Sequence, residues 1–65
     1  MKFSIPGMTD ARHRAAVEKT IIDLDSHADV SVDLHARTAA VRTTAPAEAI
    51  LNALVAQGFP ASLVP

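Results

Sequence analysis

The chain has sixty-five residues, of which 49% are hydrophobic and only two aromatic, with no cysteine. Such a chain buries roughly 60% of its unfolded surface, which leaves no room for a second domain and makes the core carry the fold without disulfides or thiolate-metal sites. Six basic and seven acidic residues give a net charge of -1, which removes the electrostatic basis for binding nucleic acid or an anionic membrane.

Phe3 and Ile5 alternate with Lys2 and Ser4 until Pro6-Gly7 breaks the period of two, so residues 2–6 are predicted as a first strand. From Ala11 the period lengthens. Ala16 or Val17, Thr20 or Ile21, and Leu24 recur at steps of three and four, which predicts a helix from Ala11 to Leu24. Asp25-Ser26-His27 closes it with turn-favouring residues, and Val30, Val32 and Leu34 then alternate with Ser31, Asp33 and His35 as a second strand. His35-Ala36-Arg37 is read as a tight connection to a third strand, in which Ala39 and Val41 alternate with Thr38, Ala40 and Arg42. That turn has neither Gly nor Asn, so its type is left open. The hydroxyl of Thr44 and the following Pro46 mark the start of a second helix, whose stripe of Ile50, Leu51, Leu54 and Val55 ends at Gly58. The last apolar stretch, Phe59 to Val64, carries a proline and suits an edge strand.

The order strand, helix, strand, strand, helix, strand, with right-handed crossovers, gives an α+β sandwich of the ferredoxin-like βαββαβ type: a four-stranded antiparallel sheet with both helices on one face. Residues 1–65 form a single domain in this reading. One core is expected from Phe3, Ile5, Val17, Ile21, Leu24, Val30, Val32, Leu34, Val41, Ile50, Leu51, Leu54 and Leu63. The topology also fixes which loops share an end of the sheet. The first strand-to-helix loop, the hairpin at His35 and the Gly58-Phe59 junction lie at one pole, so His13 and His35 share it while His27 lies at the other.

The opening FSIPGMT, then RAAVEKTI, VSVDLHARTAAVRT and AEAILNALVAQGFPASLV resemble the heavy-metal-associated domain, the family of small copper chaperones and the N-terminal modules of metal-transporting ATPases. The resemblance covers nearly the whole chain. It implies a small soluble metal-binding protein that docks to a metal transporter, with a loop of the form Gly-Met-x-Cys-x-x-Cys whose two thiolates hold Cu(I). In this sequence Asp10 and His13 stand at the two cysteine positions, so the Cys-x-x-Cys has become Asp-x-x-His.

A carboxylate oxygen and an imidazole nitrogen suit Zn(II), Co(II), Ni(II) or Cu(II), whereas copper is the ion implied by the family, and the Met8 thioether retains some softness for Cu(I). Two protein donors alone rarely hold Zn(II), so a third is expected from His35 or from a second molecule in a metal-bridged homodimer. The candidate metal residues are thus Met8, Asp10, His13 and His35. Each also has an ordinary structural role: Asp10 as helix N-cap, Met8 as core, His13 and His35 as surface residues, and Phe59 as apolar cover for the loop. Arg12, Arg14 and Arg37 form a basic rim at the same pole, either as a solvated face or to steer an acidic partner.

Several classes are disfavoured by what the sequence lacks. Phe3 and Phe59 offer no set of stacking residues for bases, no apolar run approaches the roughly 20 residues of a membrane span, and MKFSIPGM does not resemble a signal peptide, so a cytoplasmic protein is expected. No serine has a matched histidine and aspartate, and Gly7 and Gly58 cannot make a phosphate loop, so an enzyme is not expected. The alternative to metal binding is a metal-free member acting as a protein-interaction or regulatory module through the same pole.

Overall fold

The computed structural model describes all residues, Met1–Pro65. Its elements are β1 (Lys2–Ser4), α1 (Ala11–Leu24), β2 (Asp29–Asp33), β3 (Thr38–Arg42), α2 (Ala47–Ala56) and β4 (Ser62–Val64). The strands form one antiparallel sheet in the order β2-β3-β1-β4, which is the ferredoxin-like arrangement expected from the chain order. No helix is long and apolar enough to cross a membrane.

The strand periodicity becomes two faces. Cross-strand partners project to the same side, so the row Val32, Ala39, Phe3, Leu63 faces the helices, while Ser31, Ala40, Lys2 and Val64 lie on the open face. Phe3, Ile5, Ala39 and Val41 from the sheet side meet Val17 and Ile21 of α1 and Ile50 and Leu54 of α2 in the core, which Met8 and Ala28 complete. Val30, Val32, Leu34 and Leu51 pack against this core from partly buried positions, as Leu34 does from the loop after β2.

Three apolar residues expected inside or on a buried stripe are exposed. Leu24, Val55 and Leu63 retain 45%, 55% and 50% of their surface. Leu24 is the last residue of α1 and lines an open groove between α1 and α2 with Thr20 and Ala53. Leu63 shares the face of Phe3, but β4 is an edge strand and is flanked on one side only. Conversely, Ala28 and Ala39 are core residues outside the expected set, while Met8 takes the core position that was its structural reading.

Loop chemistry accounts for the junctions. At the hairpin the Ala36 N–H donates to Asp33 Oδ1 at 3.1 Å, and Arg37 takes φ 57, the left-handed conformation that Gly or Asn ordinarily supplies. The connection is therefore the four residues 34–37 and not a tighter turn at His35-Ala36-Arg37. At the opposite pole Asp25 ties α1 to the β3–α2 loop: its Oδ2 accepts the Thr43 hydroxyl at 2.7 Å and the Thr44 N–H at 3.4 Å, and its Oδ1 accepts the His27 N–H. Pro46 is the N-cap residue of α2 and offers no side-chain cap, so Thr44 does not cap the helix as expected. The hydroxyl at work there is that of Thr43, which also accepts the Ala45 N–H.

Candidate functional site

The pole predicted to carry the site is assembled from three chain segments. β1 ends beside the starts of β3 and β4, with Ser4 opposite both Thr38 and Ser62. The Ile5 N–H donates to the Arg37 carbonyl at 2.8 Å, which sets the hairpin against the strand-to-helix loop. The Met8 N–H then closes the turn over Pro6-Gly7 by donating to the Ile5 carbonyl at 3.0 Å. Met8 is turned into the core with no exposed surface. Its sulfur is therefore no surface donor, and the thioether drops out of the candidate ligand set.

Asp10 is the N-cap of α1. Its extended backbone places Oδ1 to accept the N–H groups of Arg12 at 2.9 Å and His13 at 3.1 Å, satisfying two donors that the first helical turn leaves free. Its Oδ2 accepts the Arg12 guanidinium at 3.2 Å. The His13 N–H, helped by the Arg12 side chain and amide, holds the Asp10 carboxyl below its ordinary pKa against a smaller opposing effect of partial desolvation.

His13 sits in the first turn of α1 with its ring folded back over the loop. Nδ1 accepts the Thr9 N–H at 3.1 Å and lies 3.2 Å from the Thr9 hydroxyl. This is a reciprocal cap: Asp10 satisfies the amide of His13, and His13 satisfies the amide just before Asp10. Because a backbone N–H only donates, Nδ1 carries no proton, and the 3.7 Å approach of Nδ1 to Asp10 Oδ1 is not an ion pair in this state.

Phe59 covers the other side of the ring. Gly58 ends α2 at φ +84, its N–H donating to the Val55 carbonyl at 3.0 Å, and the Phe59 N–H donates to the Leu54 carbonyl at 2.8 Å. This pair of bonds is a Schellman motif, and the positive φ is the reason for glycine there. The motif delivers the Phe59 ring to His13, centroids 5.6 Å apart and planes at 67°, and against Gly7.

Of the predicted ligands, then, the fold brings Asp10 and His13 together. Their donor atoms Oδ1 and Nδ1 lie 3.7 Å apart, and the pair would offer a carboxylate oxygen and an imidazole nitrogen to an ion. No third His, Cys, Asp or Glu joins them in a cluster. His35 is exposed on the hairpin at this pole, and His27 lies beside Asp25 at the other. Arg12 is 90% exposed in its side chain, and Arg14 lies 3.9 Å from Glu18 across a solvent-exposed pair. Arg37 is exposed. Thr9 is not among the sequence candidates, and because its bond to the ring comes from a backbone N–H, which every residue but proline carries, no residue type signals it.

Asp25, like Asp10, has its carboxyl held below the ordinary value, chiefly by the Thr43 hydroxyl and then by the His27 N–H. A carboxyl whose pKa is lower folded than unfolded adds stability above the unfolded value of about 3.9 and loses it as pH falls through the folded value. Urea unfolding between about pH 6 and about pH 2 should therefore show stability falling below about pH 4, with a shallower fall in a variant carrying Asp10→Asn and Asp25→Asn. Parallel profiles for the two proteins would show that these carboxylates do not set the acid sensitivity.

Comparison with known proteins agrees with this fold. The model of the heavy-metal-associated domain matches residues 2–60. A gold binding protein of known crystal structure is 41% identical, with 94% of each chain covered and a TM-score of 0.91. Oxidized MerP from Ralstonia metallidurans CH34 is 25% identical over 94% of this chain and 89% of its own, with a TM-score of 0.81. The copper chaperone Atx1 from Synechocystis PCC6803, in a trimeric Cu1 form carrying a His61Tyr mutation, shares the fold at 21% identity, covering 95% of this chain and 98% of its own with a TM-score of 0.92. No curated protein matches the chain. A family model that runs from β1 through both helices, together with 41% identity along nearly the whole of one structural relative, is more than a common fold requires, and the chain belongs to the heavy-metal-associated domain family.

Proposed function

We propose that this protein carries a transition-metal ion at Asp10 and His13, in place of the family's two cysteines, and passes it to a metal-transporting ATPase domain. The observation that carries the reading is the 3.7 Å separation of Asp10 Oδ1 and His13 Nδ1 on the strand-to-helix loop. The ion is cargo. Copper is its expected identity from the family, and the oxygen and nitrogen donors extend the range to Zn(II) and other divalent ions. With no third His, Cys, Asp or Glu beside the pair, the remaining coordination is completed by solvent or by a second copy across a shared ion.

Titrating the metal-free chain with Zn(II), Ni(II), Cu(II) or Cu(I) while following its NMR spectrum tests this. Resonances of Asp10 and His13 should move or broaden first, His35 next and His27 last, since His27 lies at the far pole. Binding should fade in acid, because a protonated imidazole has no lone pair to give an ion. A response led by His27, or none with any ion, would remove the proposal. The second reading, a metal-free interaction module, draws support from the hydrogen bonds that already occupy both donors.

Docking is assigned to the same pole. If the basic rim steers an acidic partner, Arg14→Glu with Arg37→Glu should slow association roughly tenfold or more at low salt and much less at high salt. Stopped-flow rates that are independent of salt would exclude steering by these arginines.

A further inference from the structure

A neutral imidazole has one lone pair to give, and in this loop it is already in use. Nδ1 of His13 accepts the Thr9 N–H at 3.1 Å, with the Thr9 hydroxyl at 3.2 Å. The ring proton is therefore on Nε2, and an N–H does not coordinate a metal. An ion has two routes to His13. It can take Nδ1, which lies on the Asp10 side, by displacing Thr9. Alternatively it can take Nε2 after the proton has moved to Nδ1, where it would face the Thr9 N–H donor to donor. Both routes sacrifice the Thr9 amide bond.

The ring has little freedom to evade this. The Phe59 ring stands edge-to-face on it at 5.6 Å, and the Asp10 cap bonds to the His13 amide fix the start of the helix from which it projects. Thr9 itself precedes the cap residue, so its amide is held in register by the same bonds. We infer that the Thr9 amide latches His13 by occupying the one ring nitrogen that can coordinate, so that ion capture at this loop requires the latch to open and release is assisted by its closing. The inference rests on the proposed role of His13 as a ligand and adds a residue that sets the loop's affinity.

Nitrogen-15 NMR of the histidine rings in the metal-free chain reads the tautomer directly. At a pH where His13 is neutral, Nδ1 should be unprotonated and Nε2 protonated; a proton on Nδ1 would overturn the latch. Zn(II) titrations then compare the wild type with Thr9→Pro, which removes the amide donor, and with Thr9→Val, which keeps the amide and removes only the hydroxyl. Loss of the amide bond that competes with the ion should tighten Zn(II) binding about fivefold in a folded Thr9→Pro chain, while Thr9→Val stays within about twofold of wild type. Equal affinities in all three chains would overturn the latch and leave ion binding intact. A wild type that ignores Zn(II) beside a Thr9→Pro chain that binds it, with the response lost on adding His13→Ala, would support the latch in its strongest form. Silence from all three would overturn both the latch and the ion-binding reading.

Discussion

Leu54→Ala should destabilise the protein by about 2–5 kcal/mol, the cost of lost apolar burial together with the cavity left in a core that cannot fully close around it. Leu54 has no exposed surface and packs from α2 into a core of ten residues. A domain of this length has only about 3–10 kcal/mol in total, so the variant should be near the limit of folding at room temperature. Ile21→Ala, which empties the facing position on α1 and is 1% exposed, should cost a similar amount. The informative control is Leu24→Ala. Leu24 continues the same helical stripe but is 45% exposed, so its truncation should cost under about 0.5 kcal/mol. Urea unfolding measures all three. Equal losses at Leu24 and Ile21 would mean that α1 presents a different face to the sheet.

The second large effect is expected at the loop. His13→Ala should weaken ion binding by more than the roughly 10–100-fold that follows loss of a mere supporting contact, because it removes a donor. Asp10→Ala should weaken it less and lower the melting temperature, since the two amide bonds at Oδ1 start the helix. The double replacement Asp10→Cys with His13→Cys should produce tight Cu(I) binding that withstands a competing chelator. The reason is electrostatic as well as chemical: a thiol at a helix N-terminus ionises more readily, and thiolates are the soft donors that Cu(I) selects. The new cysteines would occupy positions that the backbone already brings to within a few ångströms, given that Oδ1 and Nδ1 lie 3.7 Å apart. Failure of the double variant to bind Cu(I) while remaining folded would show that the loop backbone, and not only its side chains, has departed from the family. If the double variant binds Cu(I) and the natural chain takes no ion, the scaffold is competent and the interaction-module reading replaces the metal-carrying one.

Both sets of variants separate what is local in this protein from what is not. Helix α1 runs from Ala11 to Leu24 as its period of three and four indicated, because a helix is built from bonds between near neighbours and Asp10 announces its start. The Gly58 stop and the alternation of Val30, Val32, Ala39 and Val41 are local in the same sense, and the strand order followed from the chain order. Depth of burial is different. Leu24, Val55 and Leu63 carry the right residue type in the right phase and remain exposed, whereas Ala28 and Ala39 are closed over by residues distant in the chain. No periodicity reports how far a sheet extends beneath a helix or that β4 has no neighbour on its outer side.

The site divides along the same line. Asp10 as a cap and its nearness to His13 lie within one helical turn and were legible in the sequence, whereas the bond from the Thr9 backbone amide was not, because any residue but proline offers that donor. The approach of Phe59 across 46 positions of chain to the His13 ring and the Asp25–Thr43 tie across 18 positions were decided only when the two halves of the sheet came together. Local bonds are selected by a few adjacent residues, whereas these contacts depend on loop closures whose entropy is repaid by the whole core at once. For that reason the sequence by itself determined the elements, their order and the chemistry offered at the pole, and the tertiary structure decided which of those groups meet.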